Sequence, residues 1–193
     1  VSLLLEKGAL PNALDSDGRS PLHLVAANGR LASANALLAA GADTSLRRYG
    51  ACDEAALDLA ASKRHVEIVT TLIRNGANAY DFDGPTGTTA LHFAARANRP
   101  GAVLALLKNG ARVDENDAEG QTPLHLTAFY SHLGTTKALL AADADVDMTN
   151  NIWERTALHN AVVEGCRPGI VRVLIEAGAA IDAQDEEGRT PLH

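Results

Sequence analysis

The stretch Thr122-Pro123-Leu124-His125 returns along the 193-residue chain at Ser20–His23, Ala55–Asp58, Thr89–His92, Thr156–His159 and Thr190–His193. Measured between first residues, the spacings are 35, 34, 33, 34 and 34. A period this long and this regular belongs to a stack of like units, each burying an apolar face on its neighbour, and not to a chain folded around one core. The stretch itself reads as a helix start. Thr or Ser can cap the first turn through its hydroxyl, and Pro is tolerated one residue later because that N–H has no partner within the helix.

From each Leu an apolar pattern runs at i, i+3 and i+4: Leu22, Val25, Ala26; Leu57, Ala60, Ala61; Leu91, Ala94, Ala95; Leu124, Thr127, Ala128; Leu158, Ala161, Val162. The small residues in these rows let a second helix approach closely. That helix carries Ala34, Leu37, Leu38; Val69, Leu72, Ile73; Val103, Leu106, Leu107; Thr136, Leu139, Leu140; and Val171, Leu174, Ile175. Each row ends three residues before Gly41-Ala42, Gly76-Ala77, Gly110-Ala111, Asp143-Ala144 or Gly178-Ala179. A Gly in the left-handed conformation closes a helix there, and Asp143, which reaches that conformation at a cost, should close it less well.

These paired helices, the T-P-L-H signature and the Gly-Ala pair followed by a polar turn resemble the ankyrin repeat. The resemblance covers nearly the whole chain. It implies an all-α repeat solenoid of stacked helix-turn-helix units with projecting β-turn fingers. The expected organisation is one array over 1–193, with a partial repeat at 1–13, repeats at 14–45, 46–79, 80–114, 115–147 and 148–182, and a partial repeat at 183–193. Val1, Leu4 and Leu5 before Gly8-Ala9 match a second helix without its first, and Thr190–His193 opens a helix without its body. A piece of a longer array is therefore expected.

Helix start and Gly position lie 21 residues apart in four units and 22 in the fifth, so length varies mainly in the connectors. In ankyrin repeats those connectors are the fingers, which with the first helices line a concave groove that binds partners. The regular fingers are Asp15–Arg19, Asp117–Gln121 and Asp185–Arg189, where an acidic lead and a Gly suit a tight turn. The longer ones are Leu46–Glu54, Tyr80–Thr88 and Met148–Arg155. Of seven aromatic residues, Phe93 is assigned to packing, and the other six fall near the expected groove. Phe82 and Trp153 there serve either as contacts or as padding for irregular fingers. Aromatic and arginine side chains dominate many interfaces. The expected protein-binding residues are accordingly Arg47, Arg48, Tyr49, Tyr80, Phe82, Arg96, Phe129, Tyr130 and Trp153. Arg47, Arg48, Arg96 and Arg99 set against acidic fourth and sixth fingers would suit a partner with one acidic and one basic end.

Other chemistry finds little support. A net charge of −7 and a pI near 5.4 argue against general phosphate binding and so against a nucleic-acid partner. No apolar run suits a membrane span. The histidines are accounted for by the repeat motif, with His65 and His132 at the turn between helices, so no metal or other cofactor is expected. Asp58 replaces the motif His and leaves its local hydrogen bonding open. Cys52 and Cys166 lack metal-type spacing and read as free thiols in a reducing compartment. No phosphate loop or G-x-S-x-G elbow occurs. Asn12, four residues after Gly8, reads as a turn residue, though its placement resembles ankyrin-repeat asparagines that an oxygenase hydroxylates. The chain reads as a non-catalytic, monomeric, cytoplasmic scaffold for a protein partner. The alternative is the targeting or regulatory arm of a larger enzyme, channel or ubiquitin-ligase adaptor.

Overall fold

A computed structural model describes residues 1–48, 53–82, 84–163, 165 and 168–193. Tyr49, Cys52 and Cys166 lie outside the described residues. Among the described residues the chain forms α1 (Ser2–Glu6), α2 (Pro21–Ala27), α3 (Leu31–Ala39), α4 (Ala56–Ser62), α5 (Val66–Arg74), α6 (Ala90–Arg96), α7 (Pro100–Lys108), α8 (Pro123–Phe129), α9 (Leu133–Leu140), α10 (Ala157–Val163) and α11 (Pro168–Glu176). The even-numbered helices pack in succession, α2 on α4, α4 on α6, α6 on α8 and α8 on α10, and the odd-numbered ones stack behind them in the same order. The result is the expected two-layer all-α solenoid. Its core is drawn from the predicted apolar rows: Leu22, Leu91, Leu106, Leu124, Leu139 and Leu174 are each no more than 1% exposed, whereas Val162 and Ile175, expected in those rows, are exposed at 37% and 46%. Full burial of one such Leu side chain is worth roughly 1.5–3 kcal/mol.

The helix starts are built differently from a simple hydroxyl cap. At Thr122 the backbone N–H donates to His125 Nδ1 at 3.1 Å, and the hydroxyl lies 2.9 Å from the same nitrogen. A backbone amide can only donate, so Nδ1 carries no proton. Nε2–H therefore donates to the Arg155 carbonyl in the next finger, at 2.9 Å. The hydroxyl also accepts from His125 N–H at a long 3.4 Å, so the motif is a capping box with histidine in the place usually held by Glu or Gln. His23, His92 and His159 repeat the arrangement, reaching the carbonyls of Glu54, Gln121 and Arg189 at 3.2, 2.9 and 3.0 Å. Each of these four histidines thus satisfies its own helix start and ties it to the finger that follows.

Helix ends follow the expected scheme. Gly41, Gly76, Gly110 and Gly178 have φ between 82° and 96°, and Asp143 takes the same place at 60°. The next Ala then donates back five residues, as from Ala111 N–H to the Leu106 carbonyl at 3.1 Å and from Ala144 to Leu139 at 3.2 Å.

Candidate functional site

The fingers position the site. In Asp117–Gln121 the carboxylate Oδ1 accepts from the N–H groups of Glu119 and Gln121 at 3.0 and 2.8 Å, and Asp117 N–H donates to the Gln121 carbonyl at 3.0 Å. Asp15 and Asp185 close their fingers in the same way. In the longer fifth finger Asn150 takes over: its Oδ1 accepts from Trp153 and Arg155 N–H groups at 3.1 and 3.2 Å, and Glu154 adopts φ 51° where the regular fingers have Gly. Finger tips are also joined to one another, by Ala118 N–H to the Thr86 carbonyl, Asn151 to Glu119 and Glu186 to Trp153. The long fingers carry isolated antiparallel bridges, Arg47 with Ala55, Phe82 with Thr89 and Thr149 with Thr156.

Between the fingers before α6 and α8 and the exposed edges of those helices lies a cavity of about 720 Å³. Phe93, Leu126, Tyr130 and Pro85 supply its apolar lining, Arg96 stands on the helix side, and Asp117 and Glu119 stand on the finger side. Arg96 is exposed and makes no ion pair among the described residues. Phe129, 38% exposed, meets Tyr130 edge-on at 5.0 Å, and Tyr130 stacks on His132 at 5.7 Å. Of the residues expected from sequence, the structure therefore brings Arg96 and Tyr130 to this cavity, with Phe129 beside Tyr130 but outside the lining.

The remaining expected residues lie elsewhere. Arg47 is mostly buried and engaged internally: its guanidinium donates to the Asp53 carbonyl at 2.6 Å and pairs with Asp81 at 2.9 Å and Asp58 at 3.7 Å. Arg48 pairs with Glu54 and lines a separate cleft with Asp15 and Arg19. Tyr80, Phe82 and Trp153 are about half exposed, at 54%, 56% and 45%, but line neither cavity. Trp153 carries the Arg155 guanidinium over its ring at 5.1 Å. Arg99 is turned away to the Ser62 carbonyl.

Phe93 corrects its assignment to packing. Leu91, His92, Ala94 and Ala95 already fill the buried stripe of α6, so residue 93 is left on the opposite edge, half-buried and facing the cavity. Leu126, in the same place on α8, was likewise not among the expected contacts. The signal was present in the sequence: both residues directly follow the motif histidine, and the histidine's commitment to the next finger fixes which way that edge points.

Electrostatics favour a rigid frame. Burial pushes the Asp185 carboxyl up, but the N–H and guanidinium of Arg189, the N–H of Glu187 and the Arg155 guanidinium together hold it well below the usual carboxylate range. Burial lowers the imidazoles of His23 and His125. Asn12 is exposed. Its amide joins neighbouring repeats, accepting from Asp43 N–H at 2.8 Å and donating to the Gly41 carbonyl at 3.2 Å. Among the described residues no group of three or more His, Cys, Asp or Glu side chains is placed to hold a metal ion, and no helix is long and apolar enough to cross a membrane.

Family models described as ankyrin repeats match residues 1–38, 57–150 and 134–193. The chain is 32% identical over 179 residues to a transient receptor potential cation channel subfamily A member 1 homolog of Caenorhabditis elegans, covering 93% of this chain and 14% of that protein. It is 33% identical over 198 residues to inversin of Canis lupus familiaris, covering 99% of this chain and 18% of inversin. It is 31% identical over 191 residues to palmitoyltransferase ZDHHC13 of Pongo abelii, covering 98% and 30%. The chain thus spans less than a third of the length of each of these relatives.

Proposed function

The chain belongs to the ankyrin-repeat family, whose arrays are in general non-catalytic protein-interaction modules, and from that premise we propose that it binds a protein partner in the groove between the fingers and α6 and α8. The observation that carries this reading is the cavity itself. An exposed arginine with no ion pair among the described residues, the exposed Tyr130 and the half-buried Phe93 and Leu126 line it, at the edges of helices whose buried faces are already filled. Because the fourth and fifth fingers are pinned by their own turn bonds, by the preceding motif histidine and by a neighbouring tip, little ordering entropy is lost when a partner docks. Arg96, Phe129 and Tyr130 are the central contacts, joined by Phe93 and Leu126. Tyr80, Phe82, Trp153 and Arg48 flank them, and Arg47 acts through the frame.

The test is site-specific photo-crosslinking in a cell extract, with a photoreactive residue at position 130 or at Leu104. Leu104 is 55% exposed on α7, and no α7 residue lines the groove. Discrete protein adducts from position 130 and not from 104 support the reading. The same adducts from 104, or none from 130, sink it.

A second reading concerns the parent polypeptide. The relatives are several times longer than the matched region and include a channel and a palmitoyltransferase. This array then acts as the recognition arm of a larger protein, and the complete open reading frame decides it.

A further inference from the structure

Resting on the groove reading above, we infer what the groove accepts: a protein segment in which one apolar side chain lies between a carboxylate and a lysine or arginine. The two walls differ in charge. Arg96, on the helix wall, has no ion pair among the described residues. Asp117 and Glu119 stand on the finger wall. One Asp117 oxygen is committed to its own turn, and Glu119 accepts from the neutral Gln121 amide, so among the described residues neither carboxylate is paired with a cation. Glu54, which also borders the cavity, is already matched by Arg48. Between the walls the lining is Phe93, Leu126, Tyr130 and Pro85.

Charge complementarity excludes the simpler occupants. A phosphate or a nucleic-acid strand would meet the Asp117 and Glu119 carboxylates on a chain of net charge −7. A purely basic segment would leave Arg96 facing like charge, and a purely acidic one would face the finger wall. A dipolar segment satisfies both walls and fixes its own direction in the groove, because the reversed orientation sets like charges against each other. Its apolar residue removes the exposed faces of Phe93 and Tyr130 from water.

The experiment is selection of a phage-displayed library of random peptides on the whole chain, with parallel selections on Tyr130→Ala and Arg96→Glu, each checked by circular dichroism. Peptides enriched on the unaltered chain should share an apolar residue flanked by Asp or Glu on one side and Lys or Arg on the other. Their affinity should fall by about tenfold or more with Tyr130→Ala, as expected for a central aromatic contact. Selection on Arg96→Glu should replace the acidic residue by a basic one. Peptides that depend on Tyr130 but lack the charge pattern, or that ignore Arg96→Glu, overturn the dipolar inference and leave the groove standing. Peptides indifferent to Tyr130→Ala, or no enrichment on the folded chain, overturn the groove reading and this inference with it.

Discussion

The joint between α8 and the fifth finger and the joint between α4 and the third finger perform one task with different chemistry. At the first, neutral His125 accepts from the Thr122 N–H and donates to the Arg155 carbonyl, spanning two repeats with one ring. At the second, the helix starts on Ala55, which has no hydroxyl, and the motif histidine is Asp58. Its carboxylate accepts from the Ala55 N–H at 2.8 Å, but a carboxylate cannot donate to a carbonyl. Arg47 supplies the missing donor. It contacts Asp58 on one side and Asp81 of the following finger on the other. The repeat frame therefore requires a continuous bridge from helix start to next finger, and a neutral ring or a pair of charges both meet that requirement. Arg47, read from sequence as a partner contact, is half of that bridge.

The largest effect is expected from His125→Ala. It leaves the buried Thr122 N–H and the Arg155 carbonyl without the ring and opens a hole beside Leu124. At roughly 1–3 kcal/mol for each group left unsatisfied, the loss should be about 3 kcal/mol, seen as a lower urea midpoint. Arg47→Ala should cost somewhat less, about 2 kcal/mol, because Asp81 is half exposed and water can replace part of the interaction. Salt sharpens the contrast. Raising ionic strength should weaken the Arg47 joint and leave the His125 joint unchanged, so the loss caused by Arg47→Ala should shrink with salt while that caused by His125→Ala holds, and the gap between the two variants should widen. Equal salt dependence of the two would break the comparison.

Acid should separate the joints in the opposite sense. Burial lowers His23 and His125 from the ordinary imidazole value of 6.5, so the folded chain keeps them neutral while the unfolded chain takes up protons. Their stabilisation is complete above pH 6.5 and is lost as pH falls below it, levelling off once the folded-state values are passed. Protonation also sets an Nδ1–H against the Thr122 N–H. Asp15, Asp43 and Asp185 are lowered from 3.8, so their contribution persists above that value and is lost only on further acidification. Hydrogen-exchange protection, corrected for the intrinsic rate, should therefore fall between pH 7.5 and 5.5 around the second and fifth fingers, which His23 and His125 hold, before it falls around the first finger, which Asp15 closes. Uniform quickening along the array would show that the histidines do not govern this window.

The fold was legible because its determinants are local and repeated. Leu124, the Thr122–His125 box and the Gly110-Ala111 closure announce themselves at a fixed spacing. The site was legible only in part, for a physical reason. A sequence gives the position of Arg47 in a finger but not the direction of its guanidinium, which the replacement of histidine by Asp58 redirects inward. Read together, Ala55, Asp58 and Arg47 suggest the bridge only once the histidine's second bond to the next finger is known. Phe93 was misassigned because its neighbours in the chain are core residues, although helical rotation places it on the other edge. Arg96, Phe129 and Tyr130 were readable because they follow the motif histidine by four or five residues, a spacing that returns to the groove edge.

The smallest expected effects come from backbone strain, and they compare regular closures with worn ones. Gly110 closes α7 at φ 93° without a side chain, whereas Asp143 closes α9 at 60° with one. Glu154 holds φ 51° at the turn that Gly120 makes in the fourth finger at 72°. A left-handed residue with a Cβ costs roughly 1–2 kcal/mol, and less for Asp, so Asp143→Gly should stabilise by about 0.5 kcal/mol and Glu154→Gly by about 1 kcal/mol in urea denaturation. The converse change at the fourth finger is not symmetric. A Cβ on Gly120 would lie about 2.5 Å from the Asn151 backbone nitrogen, at the tip bond that joins the fourth and fifth fingers. Gly120→Ala should therefore cost more than strain alone and loosen the finger wall that carries Asp117 and Glu119. If Gly120→Ala and Glu154→Gly prove equal and opposite, conformational strain is the whole difference between these fingers. If Gly120→Ala costs more, tip-to-tip contact holds the charged wall of the groove in place.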